Sequence, residues 1–146
     1  MPWTDLLSAD RIVVLDEPGS PARVLAAAAE LLAGGPGAAA TGIAEALDQR
    51  ERLGSTAIGH GVAIPHARSD AFPAARGAFL RLGRGLDFGA RDGGAIDLVF
   101  ALVAAGVGLL MLTQVVARHH ATSADAQRVE AALGLTAGER VLARVL

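Results

Sequence analysis

Between Gln49 and Arg68 the chain reads QRERLGSTAIGHGVAIPHAR, and the polar chemistry of an otherwise aliphatic sequence concentrates there. Arg50, Glu51 and Arg52 run into Gly54-Ser55-Thr56, then come Gly59-His60-Gly61, an apolar run and Pro65-His66. Pro65 fixes its own φ and biases Ile64 to an extended shape, so the backbone sets the direction of the His66 imidazole. A neutral imidazole nitrogen is a competent nucleophile near pH 7, and a hydrogen bond at the other nitrogen selects the tautomer. If the electrophile is a phosphoryl group, its equatorial oxygens need donors. Arg50, Ser55, Thr56 and backbone N–H groups at the glycine turns could supply them. The plainer role is a turn histidine in a structural loop, and composition alone favours it.

Other chemistries fit less well. His60, His66, His119 and His120 show no H-x-x-x-H spacing and no accompanying carboxylate set, so no metal is expected. His119 and His120 suit a helix C-terminus, where they favour the dipole. No G-x-S-x-G elbow supports a serine hydrolase. Gly59-x-Gly61 is not followed by the third glycine and helix of a dinucleotide fingerprint, so no cofactor is expected. The absence of cysteine removes disulfides, thiolate catalysis and Cys-ligated zinc. A net charge of −2 leaves no basic stripe for neutralising phosphates, which argues against nucleic acid.

These side chains need a scaffold, and 146 residues are enough for one domain, expected over 1–146. The apolar share is 52% with one tryptophan and four phenylalanines, so the core must be aliphatic, as in helices layered on a buried sheet. A first strand is expected over Arg11–Leu15. Ser20 as N-cap and Pro21 at the first helical position open a helix to about Ala33, which Gly34-Gly35-Pro36-Gly37 stops. A second helix is expected over Ala38–Arg52, with Ile43, Ala46 and Leu47 inward. Val62–Ile64 reads as a short strand, with His66 beyond it at a loop mouth and Ala67–Pro73 as turn. Gly77–Leu82 alternates like a strand, Gly83–Gly94 reads as a glycine-rich connection, and Ile96–Val103 as the central strand. Helices over Leu109–His120, Ser123–Leu133 and Thr136–Val145 complete the chain, the last with a Thr136/Glu139 capping-box spacing.

Leu98–Leu112 is continuously apolar and nearly reaches the roughly 18–20 residues of a membrane span. A buried strand, a break at Gly106 and Gly108 and a helix from Leu109 explain it without a bilayer. The N-terminus lacks the pattern of a signal peptide. Direct membrane insertion is therefore not expected.

The segment R-E-x-L-G-S-T-x-I-G-x-G-V-A-I-P-H, Arg50 to His66, resembles the signature of the type-2 IIA phosphocarriers of the bacterial sugar phosphotransferase system, which include fructose, mannitol and nitrogen-regulatory IIA proteins. The likeness continues through Leu86-Asp87-Phe88-Gly89-Ala90, Asp92-Gly93 and Ile96–Phe100, and takes in Leu6-Leu7 and Arg11–Leu15. It implies a cytoplasmic, single three-layer α/β/α domain with a mixed sheet. It further implies that His66 accepts a phosphoryl group from phospho-HPr or its nitrogen-branch relative and passes it to a IIB partner, or regulates a target protein by its phosphorylation state. Arg50 takes the place of the family's active-site arginine, and Ser55 and Thr56 that of its Ser/Thr pair. Positioning and charge stabilisation are what such transfer requires.

Two departures stand out. The family's second histidine, near the phosphoacceptor, is matched here by Gly108, after a shortened loop. The position between Gly59 and Gly61, commonly Asn or an acid, is His60, read either as a tolerated turn substitution or as compensation for the absent histidine. Carrier, phosphorylation-dependent regulator and degenerate scaffold are the three functional readings.

Overall fold

A computed structural model of the chain describes residues 6–106. Gly108, His119, His120 and the three expected C-terminal helices lie outside the described residues, and so does any second helical layer they would form.

A 3-10 turn, Ala9–Arg11, leads into β1, Ile12–Leu15. The turn takes Arg11, expected in the strand; its guanidinium instead ties the chain to Gly77 O at 3.0 Å and Leu6 O at 3.2 Å. Helix α1, Pro21–Ala33, starts as expected: Ser20 Oγ accepts from Arg23 N at 3.3 Å and Pro21 needs no partner for a missing N–H. It ends in a Schellman pattern, with Gly34 left-handed at φ 84° and the Gly34 and Gly35 N–H groups returning to Leu31 O and Glu30 O. Helix α2, Ala38–Leu53, follows at once, with Arg50 and Arg52 in its last turn where the dipole favours cations.

The strands β1, β2 (Ala57–Gly59), β3 (Val62–Ala63), β4 (His66–Arg68), β5 (Arg76–Leu86) and β6 (Ile96–Ala104) form one mixed sheet. Its order is β1-β5-β6-β3-β2, with β4 also paired to β6. β6 is central as expected: β5 runs antiparallel on one side, β3 and then β4 parallel on the other. Val99, Ala101 and Val103 join Val24, Leu25, Ala28, Ile43 and Leu47 in the main core. Leu102 and Ala104 gather with Leu6, Ile64 and Ala75 in a second cluster. A strand buried on both faces explains the part of the apolar run that lies within β6, up to Ala104. Among the described residues no helix is long and apolar enough to cross a membrane.

Three strand assignments differ from expectation. β2 and β4 are too short for periodicity to register, so His66 opens a strand and does not sit in a loop. β5 continues through Gly83 and Gly85, expected as connection. There the glycines mark contact: a Cβ on Gly83 would lie 2.4 Å from Asp16 O, and one on Gly85 2.6 Å from the Ala95 Cβ.

The glycines make the fold testable. Gly83→Ala must push β1 away from β5 and lower the melting temperature. Gly42 lies inside α2 with open space around its missing Cβ, so Gly42→Ala stabilises by roughly 0.5–1 kcal/mol. Leu80→Ala, at a fully buried β5 position, costs about 2–5 kcal/mol. Urea unfolding with an unchanged m-value measures all three.

Candidate functional site

The site grows from a defect in the sheet. β3 and β4 run along the same side of β6, and Ile64-Pro65 interrupts them. Proline has no N–H for the ladder, although its carbonyl still accepts from Leu102 N at 2.9 Å. Ile64 N turns to Thr56 O at 3.0 Å. The Ile64 carbonyl lies 2.9 Å from His66 Nδ1. A carbonyl can only accept, so Nδ1 carries the proton and Nε2 keeps its lone pair. His66 stands in register with Leu102 and is 4% exposed.

Arg50 comes from the last turn of α2, which packs against β4. Its Nε donates to His66 Nε2 at 3.3 Å and its Nη1 to Gly54 O at 2.9 Å. Burial pulls its pKa below the usual arginine value, opposed by the nearby Glu51 carboxylate. A guanidinium nevertheless keeps its charge at any physiological pH. The result is a lone pair facing a fixed cation.

Ser55 and Thr56 follow Gly54, whose carbonyl Arg50 holds, and sequence reasoning expects both hydroxyls to donate to a phosphoryl group. In the structure Ser55 Oγ donates to Phe88 O at 2.6 Å and accepts from Ala57 N at 3.1 Å. Thr56, wholly buried, donates its hydroxyl to Glu51 Oε2 at 2.6 Å, while its N–H reaches Glu51 Oε1 at 3.1 Å. Both hydroxyl protons are thus directed to acceptors within the fold. Glu51 and the Ile64 carbonyl are what sequence reasoning missed. A glutamate five residues before a Thr across a helix end was a visible signal for the first; no residue type signals a backbone carbonyl.

His60 is not brought to His66. It occupies a two-residue turn between Gly59 and Val62, with φ 55° followed by 77° at Gly61, the left-handed pair of a type I′ hairpin. Asn and Asp tolerate this region, and His is likewise enriched there, which accounts for the substitution. The His60 N–H donates to Asp92 Oδ2 at 3.2 Å, and Asp92 Oδ1 accepts from Gly94 N at 3.0 Å. These bonds hold the exposed Asp92 carboxyl below the usual aspartate pKa. Gly61 O accepts from Asp97 N and Leu98 N, whereas His66 pairs with Leu102. Four strand residues separate those levels, roughly 13 Å at the rise of a strand. The described residues contain no cluster of His, Asp and Glu able to hold a metal.

A model of the family described as phosphoenolpyruvate-dependent sugar phosphotransferase system, EIIA 2, matches residues 5–130. A nitrogen regulatory protein of Bradyrhizobium diazoefficiens is 35% identical over 92% of this chain and 96% of its own length. The crystal structure of the nitrogen regulatory protein IIA-Ntr from Neisseria meningitidis superposes with a TM-score of 0.66 at 33% identity, covering 90% of this chain and 98% of that one. The fold is also that of the mannitol enzyme IIA of Escherichia coli in its complex with phosphorylated enzyme IIB, with a TM-score of 0.59 at 18% identity over 94% of this chain and 95% of that one. With its mixed sheet and its signature segment, the chain belongs to the EIIA type-2 family of the phosphoenolpyruvate-dependent sugar phosphotransferase system.

Proposed function

We propose that His66 is a phosphoryl acceptor in the cytoplasm, charged by the phosphohistidine of an HPr-type carrier and discharged to a IIB partner. The observation that carries this reading is the split role of the imidazole: Nδ1 bonds Ile64 O while Nε2 faces the Arg50 guanidinium. In the transfer, the Nε2 lone pair forms a new N–P bond as the donor's N–P bond breaks and its electron pair returns to the donor ring. No proton has to move. Nδ1 keeps its proton against Ile64 O, so the phosphorylated ring carries positive charge and is a good leaving group for the next transfer. Arg50 shifts its donors from Nε2 to the equatorial phosphoryl oxygens, where charge-assisted bonds are strongest. Ser55 and Thr56 shape the turn that delivers Arg50, and His60 takes no part. The domain works as one unit over 1–146.

A second reading has its own support, because nitrogen regulatory proteins are 35% and 33% identical over 92% and 90% of this chain. In it, a target protein reads the phosphorylation state of His66 and onward transfer is slow.

Incubation with phosphoenolpyruvate, enzyme I and HPr yields an acid-labile, base-stable adduct on the wild type and none on His66→Ala. An adduct of the same size on both would rule out His66. Arg50→Ala slows uptake by about 100-fold, as loss of one preorganised donor does. His60→Asn leaves the rate unchanged. Fast discharge to a IIB protein selects the carrier over the regulator.

A further inference from the structure

The bonds around His66 close into a ring. His66 Nδ1 donates to Ile64 O at 2.9 Å. Ile64 N donates to Thr56 O at 3.0 Å. Thr56 donates twice to Glu51, from N at 3.1 Å and from Oγ1 at 2.6 Å. Glu51 is covalently next to Arg50, whose Nε returns to His66 Nε2 at 3.3 Å. One carboxylate therefore joins the two structures that hold opposite sides of the imidazole, the helix end and the strand row.

We propose that Glu51 is a positioning residue for phosphoryl transfer, fixing the Arg50 guanidinium against the His66 lone pair; this rests on the reading of His66 as the acceptor. The need is physical. Arg50 lies in the last turn of α2, where helices fray and carbonyls lose their intrahelical partners. A carboxylate there is disfavoured by the dipole, so its presence wants another reason. Its two oxygens grip the wholly buried Thr56 across the helix C-cap at Gly54. The bidentate grip fixes both position and rotation of the helix end. A monodentate one would fix only position. Glu51 itself touches neither ring nor guanidinium head in this circuit, so it acts through Arg50.

The test compares wild type, Glu51→Gln, Glu51→Asp, Thr56→Val and Thr56→Ser. Gln keeps one acceptor oxygen, Asp keeps the charge but falls a methylene short, and Ser keeps the hydroxyl. In unphosphorylated protein, ¹⁵N NMR of the Arg50 Nε–H shows an ordered, slowly exchanging group in wild type and Thr56→Ser. Exchange is about tenfold faster in Glu51→Gln, Glu51→Asp and Thr56→Val, the worth of one lost charge-assisted bond. With phospho-HPr as donor, kcat in those three falls about 10- to 100-fold with KM unchanged, as expected for misplacement by an ångström or less. Combining Glu51→Gln with Thr56→Val costs little more than either alone, since both break the same link. Unchanged Arg50 order and kcat would overturn the proposal, as would a rise in KM alone, which would put Glu51 in partner docking. If Glu51→Gln does not fold, the Thr56→Val and Thr56→Ser contrast decides. A wild type that takes up no phosphoryl group refutes the His66 acceptor instead, and the NMR comparison still shows whether Glu51 holds Arg50.

Discussion

The hydrogen bond from His66 Nδ1 to the Ile64 carbonyl sets the terms for every other group in the site. Both tautomers of neutral imidazole are close in energy, so one bond to an acceptor-only partner is enough to choose between them. That partner is available because Pro65 interrupts the ladder beside β6 and Ile64 turns its N–H to Thr56. The acceptor is backbone, two residues from the ring, and in the proposed transfer it stays in place. A side-chain acceptor would have its own rotamers and its own titration.

The rest of the fold supplies the opposite side. α1 and α2 form a tight hairpin through Gly34–Gly37 and pack on the sheet with mostly Ala, Val and Leu. Small side chains let α2 approach β4 closely enough for a single arginine to span the gap. Arg76 secures the neighbouring segment, donating to Leu32 O at 3.1 Å and lying 3.8 Å from the centre of the Phe72 ring. This second guanidinium joins α1 to the strand after the site, and it is the kind of stacked contact that lysine would not reproduce.

Much of this was legible in the sequence, for definable reasons. The α1 start was written in Ser20-Pro21 and its end in the glycines, because caps are local chemistry. The centrality of β6 followed from an apolar run that only burial on both faces explains. His66 and Arg50 were candidates on residue type, and only the resemblance set them above the plainer role of a turn histidine. What stayed hidden was non-local. β2 and β4 have too few residues to show a period, and Gly83 and Gly85 look like loop until Asp16 and Ala95 are seen pressing on them. The resting partners of the Ser55 and Thr56 hydroxyls stayed hidden for the same reason: Phe88 lies 33 positions from Ser55, and sequence does not show which acceptor a hydroxyl will meet. Compensation by His60 would need it near His66, yet Val62, two residues after it, already lies four registers of β6 from His66.

The resting arrangement also constrains how the proposed transfer can start. Arg50 Nε donates into the same lone pair that must attack phosphorus. Breaking a hydrogen bond to a charged group costs about 1.5–3 kcal/mol. A neutral electrophile offers nothing in return, so against it the nucleophile stays covered and, at 4% exposure, largely out of water. A phosphoryl dianion repays that cost, because the guanidinium gains oxygens with full negative charge as it leaves the nitrogen. The arginine therefore favours one class of electrophile by being in its way. That works only if the guanidinium has a defined starting place and a short path, which is the condition that a helix end held at both Glu51 oxygens satisfies.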